Sequence, residues 1–190
     1  MAPESVPPES FTRGVAGLRS VEARPEIALQ DAAAPGKLAP YAFAIGGTVT
    51  RFGEEVATGR LILLCDPAGH DAWAGTLRLV TYVTAELEPE IATDPMLSEV
   101  AWSWLTDALD AHDAAYLAPG GTVTTTTSTR FGDLAGAPIA ADLEIRASWS
   151  PADDRFAAHM QAWCALLAST AGLPPPGVTA LSSRGATSGA

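Results

Sequence analysis

Two stretches of this sequence hold side chains that could do chemistry. Cys65 runs directly into Asp66-Pro67-Ala68-Gly69-His70-Asp71, so a thiol, an imidazole and two carboxylates crowd one short loop. That set suits a Cys/His/Asp hydrolytic centre or a metal clip. A nucleophile, however, draws its base from a distant segment as a rule, and a metal needs three or four converging ligands. One loop with Pro and Gly as turn formers reads better as solvated. Glu86, Glu88 and Glu90 alternate, which would put three carboxylates on one face of an extended chain, ready for acid–base work or a cation. Pro89 interrupts them, so a solvated acidic turn is the plainer reading. His112 and His159 fall on helical segments, His112 within an apolar stripe and His159 at the edge of one, and both read as structural. The sequence points to no cofactor and no bound metal.

Whatever chemistry exists must be positioned by one domain, because 190 residues are enough for one and too few for two substantial ones. The chain carries 22 acidic against 11 basic residues, a net charge of -11, and Lys37 is its single lysine. Such a surface repels a phosphate backbone, so nucleic acid is not an expected partner. The longest apolar run, Ala162 to Ala168, is far too short to cross a bilayer, and the N-terminus lacks the basic and apolar regions of a secretory signal. Two cysteines make neither a disulfide framework nor a structural zinc site. The expectation is a cytoplasmic protein without a membrane partner. Residues 1–8 and 174–190, rich in Pro, Ser, Gly and Thr, are expected to be disordered around a folded domain at 9–173.

Three helices are expected. Asp94 caps the clearest, with Pro95 at its first position, and the helix runs to about Ala115 with Leu97, Val100, Ala101, Trp104, Leu105, Ala108, Leu109 and His112 on one stripe. A second runs from Pro151 to about Ala171, capped by Ser150 and stopped by Gly172; Phe156, Met160, Trp163, Cys164 and Leu167 form its stripe. A weaker one covers Pro8 to Ser20, with Gly14 and Gly17 each costing it about 1 kcal/mol. Strands are expected at Tyr41–Arg51, Val56–Cys65, Thr76–Leu87, Gly121–Arg130 and Ala137–Trp149, with Glu26–Gln30 as a candidate edge. The turns Arg51-Phe52-Gly53-Glu54 and Arg130-Phe131-Gly132-Asp133 look alike, and coincidence explains them better than duplication. Short turns force antiparallel pairing. The fold class is therefore α+β: a two-layer domain, a five-stranded antiparallel sheet with helices on one face, in the order α-βββ-α-ββ-α.

Parity then assigns the sides of the sheet. With Leu61, Leu63 and Cys65 turned inward, Arg60, Ile62 and Leu64 turn outward. Arg78, Val80, Tyr82 and Glu86 share that side on the next strand, and Asp142, Glu144 and Arg146 on the last. Arg130 joins them if Thr124, Thr126 and Ser128 are wet. An apolar patch of Ile62, Leu64, Val80 and Tyr82 rimmed by Arg60, Arg78, Arg130 and Arg146 has the make-up of a docking surface. The plainer account is a ladder in which those arginines are satisfied by Glu86, Asp142 and Glu144, worth about a few tenths of a kcal/mol per pair.

The stretches Ala57-Thr58-Gly59-Arg60, Trp102-Ser103-Trp104-Leu105, Ser128-Thr129-Arg130-Phe131-Gly132 and Leu143-Glu144-Ile145-Arg146-Ala147-Ser148-Trp149 resemble an actinobacterial family called domain of unknown function 3000, over about residues 10–173. That family has no assigned activity, so the resemblance implies no catalytic or cofactor residue. The order of helices and strands is also similar to that of bacterial secretion-chaperone-like proteins, which bind partners on the sheet and often dimerise. The expected function is a non-catalytic binding or adaptor role on the outer sheet face, toward a protein, an acidic peptide or a second copy as a homodimer. The rival is a small enzyme with a cleft between sheet and helices, using His70, Asp66 or Glu86.

Overall fold

Alternation of apolar and polar side chains commits most of the chain to a single sheet. A computed structural model describes residues 6–136 and 140–176. Most of both expected disordered ends, and Ala137–Ile139 at the start of the last expected strand, lie outside the described residues. The strands are β1 (Ile27–Ala32), β2 (Tyr41–Arg51), β3 (Glu54–His70), β4 (Gly75–Leu87), β5 (Tyr116–Ser128) and β6 (Ala140–Pro151). They lie in the order β1-β2-β3-β4-β6-β5, antiparallel throughout. The helices are α1 (Glu9–Arg19), α2 (Pro89–Ala92), α3 (Leu97–Ala111) and α4 (Phe156–Thr170).

The class is α+β with one antiparallel sheet, but the sheet has six strands rather than five and the order becomes α-ββββ-αα-ββ-α. The candidate edge is a full strand: β1 pairs with β2 from Ile27↔Val49 to Ala32↔Ala44, and Ile27 is buried in the core. The helix expected from Asp94 starts at Leu97. The Asp94 carboxylate accepts the Met96 N–H at 2.8 Å in a turn ahead of it, and α2 uses up the preceding residues. The helix expected from Pro151 starts at Phe156, because β6 holds its pairing through Trp149 and Ser150 and so takes the residue expected as the cap. At its other end α4 stops as expected: Gly172 has φ 62° and the Leu173 N–H returns to the Ala168 carbonyl at 2.9 Å.

The two look-alike turns differ in geometry. Arg51 pairs with Glu54 across a two-residue turn in which Phe52 and Gly53 both have positive φ, whereas Phe131 precedes a 3-10 turn at Gly132–Leu134. Coincidence of sequence is the better description.

α1, α3 and α4 cover one face of the sheet. Leu61, Leu63, Leu79, Val83, Leu143, Ile145 and Trp149 meet Leu18, Leu105, Leu109, Phe156, Met160 and Trp163 in a continuous core. Burying each such side chain contributes roughly 1.5–3 kcal/mol. α4 lies almost on the backbone of β2 and β3: Gly47 and Gly59 face each other in register, and a Cβ on either would fall 2.7 Å from a Leu167 methyl carbon. The indoles in this core are satisfied. Trp163 Nε1 donates to Thr81 Oγ1 at 2.7 Å and Trp149 Nε1 to His159 Nδ1 at 3.1 Å. His159, expected at a stripe edge, is fully buried, and burial lowers its pKa from 6.5 to about 4. Among the described residues no helix is long and apolar enough to cross a membrane.

The opposite face has a small core of its own. Ala44, Ile62 and Leu64 are buried there against Ala39 and Trp73, with Ala42 and Val80 alongside. The segment after β1 and the 3-10 turn Asp71–Trp73 thus close one end of a face that parity leaves open.

Candidate partner-binding face

The register assembles one polar rung across the whole sheet. Gln30, Gly46, Arg60, Tyr82, Arg146 and Thr122 are successive neighbours on β1, β2, β3, β4, β6 and β5. Odd–even alternation turns all of them away from the helices. Tyr82 is exposed and stands between two hollows. One, of about 550 Å³, is lined by Gln30, Gly46, Thr48, Thr58, Arg60 and Tyr82. The other, of about 370 Å³, is lined by Val80, Gly120, Thr122, Arg146 and Ser148 around the same tyrosine. Gly46 interrupts this rung in the first hollow, and Gly120, opposite Ser148, interrupts the neighbouring one in the second, so neither position fills its hollow with a side chain.

Electrostatics divide the rung. Arg146 Nε donates to Glu144 at 2.7 Å, the Tyr82 hydroxyl donates to the same carboxylate at 2.8 Å, and the Arg146 guanidinium lies 5.3 Å from the Tyr82 ring centroid. The Tyr82 hydrogen bond, then the Arg146 contact, holds Glu144 below the usual carboxylate range, and the same bond to Glu144 raises Tyr82. Arg60 stands apart. It is exposed, and its guanidinium makes no hydrogen bond or ion pair among the described residues.

Of the expected face, Arg60, Val80, Tyr82 and Arg146 sit together as parity predicts. Ile62, Leu64 and Arg78 point the same way but are buried, at 9%, 4% and 8% exposure, and of the three Ile62 lines the first hollow. The added cover of Trp73 and the loop before β2 is the reason for the two apolar residues. Arg78 is drawn in by its own bonds, donating to Ser150 Oγ at 3.1 Å and to Ser148 Oγ at 2.8 Å, and burial lowers its pKa. Arg130 is exposed but lies beyond β5, which ends at Ser128, so it belongs to a loop rather than to the sheet face. Gln30, Gly46 and Gly120 were not singled out by sequence. The signal was a glycine interrupting strand alternation, readable only once the register is known.

The residues of the rival reading do not come together. Cys65 is fully buried on the helix side, where burial and then Asp66 raise its pKa, while His70 is exposed at the far end of β3. The imidazole Nδ1 accepts the Ala72 N–H at 3.2 Å and the ring stacks on Trp73. Asp66 accepts the Ala68 N–H at 3.0 Å. Glu86 lies opposite Asp142 on the outer side of the sheet, with Glu88 ahead of α2 and Glu90 within it, so the three carboxylates do not share a strand face. Among the described residues no three His, Cys, Asp or Glu side chains converge as a metal site requires.

A family model described as "Protein of unknown function (DUF3000)" matches residues 7–179, nearly all of the chain. No curated protein and no solved structure matches it.

Proposed function

We propose that this chain, which belongs to the DUF3000 family of proteins of unknown function, is a non-catalytic binding protein whose outer sheet face takes an acidic peptide segment of a partner protein. The observation that carries this reading is Arg60. A guanidinium left without a carboxylate, in a chain with twice as many acids as bases, is a group whose partner lies outside the domain. The neighbouring Arg146 has its own carboxylate in Glu144 and holds the Tyr82 ring in place, so an incoming acid would meet Arg60 first. Tyr82 supplies the rigid aromatic contact that dominates small interfaces, and the hollows on either side accept side chains of an extended peptide. The same reading has the protein working in the cytoplasm, where its free Cys65 and Cys164 stay reduced.

Fluorescence anisotropy with a labelled Glu/Asp-rich peptide containing one aromatic residue tests it. The peptide should bind, lose affinity as salt rises, and lose about tenfold or more when Arg60→Ala is combined with Tyr82→Ala. A Lys-rich peptide of the same length should not bind. Equal binding of both peptides, or no loss in the double variant, would overturn the proposal. A dimer seen by sedimentation and broken by the same variant would instead make the partner a second copy.

A further inference from the structure

The solvent side of α4 breaks the rule that α3 obeys. α3 turns Glu99, Asp107 and Asp110 to water, whereas α4, from Phe156 to Thr170, contains no Asp, Glu, Lys or Arg. Its side away from the sheet presents Cys164, Ala165, Ala168 and Ser169, all half-buried. A helix without charges, whose outer side offers only Gln161 and Ser169 as polar groups, calls for cover on both sides. Here the second cover is partial, and it leaves a cavity.

That cavity measures about 500 Å³, a size typical of small-molecule sites. One wall is the α4 surface just described. A second is Val21 and Ala23, following α1, and the roof is Leu173 to Pro176. Two bonds fix the roof: the Leu173 N–H to Ala168, and Arg24 Nη1 to the Pro174 carbonyl at 2.8 Å. Small side chains on the floor give the space its depth. Burial raises the Cys164 thiol to about 11, so it stays protonated and acts as apolar wall.

The polar groups around the cavity are Glu22, Arg24, His112, Gln161 and Ser169, and the charged ones among them narrow the occupant. The charge of Arg24 is matched by Glu26 through bonds of 2.9 and 3.0 Å, and its remaining reach goes to Pro174. Glu22 on the rim repels an anion. His112 also lines the cavity, and its Nδ1 lies 2.9 Å from the Ala108 carbonyl. A carbonyl only accepts, so Nδ1 carries a hydrogen, and in the uncharged ring Nε2 then holds the lone pair. No described residue donates to it. We propose that this cavity binds a small uncharged apolar molecule, of the kind of a long-chain alcohol or an aromatic amine, whose head donates one hydrogen bond to His112.

The test uses the full chain and the neutral fluorophore N-phenyl-1-naphthylamine, with 1-decanol and decanoate as competitors. Expected are a saturable rise in fluorescence at one site and displacement by decanol at least about tenfold better than by decanoate. Ala165→Trp, which fills the cavity, should lower probe affinity about tenfold or more. Ala168→Leu, a smaller intrusion, serves if the tryptophan variant does not fold. His112→Phe should keep the probe but remove the preference for decanol over decane, and Arg60→Ala should change nothing. Absent or non-saturable binding, binding indifferent to both filling variants, or decanoate equal to decanol would overturn the proposal. So would a dimer in sedimentation that Ala165→Trp abolishes, because the cavity would then receive a second copy.

Discussion

The two faces of the sheet are built from the same strands by the same alternation, yet they end in opposite conditions. The helix side is closed: α4 lies against Gly47 and Gly59, and Trp149 and Trp163 have both packing and hydrogen-bond partners. The outer side is closed at one end, where Trp73 covers Ile62 and Leu64, and open at the other, where Arg60 and Tyr82 meet water. Facing outward and being exposed are therefore different properties. A strand decides the first, and whichever segment folds over it decides the second. The arginines make the point sharply. Arg78 and Arg60 share a face, but one is buried against serines and the other is unmatched.

Substitutions should separate the two faces by size of effect. Trp163→Ala removes a fully buried indole and the bond to Thr81. It should cost about 3–5 kcal/mol, read as a fall in urea midpoint or outright loss of the folded baseline. A loss under about 1 kcal/mol would mean that the helix side is not the principal core.

Acid should attack the same side. His159 accepts from Trp149 and is held neutral, with Asp153 raising and Arg155 lowering its pKa by lesser amounts than burial does. The unfolded chain takes up this proton near pH 6.5 and the folded one only near pH 4, so stability is complete above pH 6.5 and falls as pH drops across that window. At its foot the loss should reach about 3 kcal/mol. Urea unfolding at pH 7 and pH 4.5 measures it, and His159→Gln should flatten the difference in that range. An unchanged slope in the variant would assign the acid sensitivity to other groups.

On the covered end of the outer face, Leu64→Ala should cost about 2–3 kcal/mol, because Leu64 is 4% exposed although no helix lies over it. An effect near zero would mean that the Trp73 cover is open in solution. On the uncovered end, Arg60→Ala should change thermal stability by less than about 0.5 kcal/mol, since no described residue pairs with its guanidinium. Its effect belongs in binding. A clear destabilisation by this substitution would return Arg60 to the self-satisfied ladder and remove the basis for a docking face.

Much of the fold was legible beforehand. Ala141, Leu143, Ile145, Ala147 and Trp149 alternate inward as their spacing predicts, and α4 stops at Gly172 as a left-handed glycine requires. The errors fall where two signals compete for the same residues. Ser150 carries a helix-cap signature and a strand position, and pairing across the sheet won. Asp94 and Pro95 look like a helix start, but they form a turn, and the helix waits for Leu97. The site was half legible: parity found Arg60, Tyr82 and Arg146, while the burial of Leu64 and Arg78 depended on contacts from residues far along the chain.

The amino-acid order alone settled which side chains share a face, because the pleat has a period of two and the helix a period near 3.6, and both are local properties of the backbone. It could not settle which face stays dry. That depends on where Trp73 lands, on α4 coming down upon two facing glycines, and on β6 entering between β4 and β5, so that β5 becomes the edge. Each of these joins residues distant in the chain, and long-range contacts are set by how the whole surface packs rather than by any stretch of sequence.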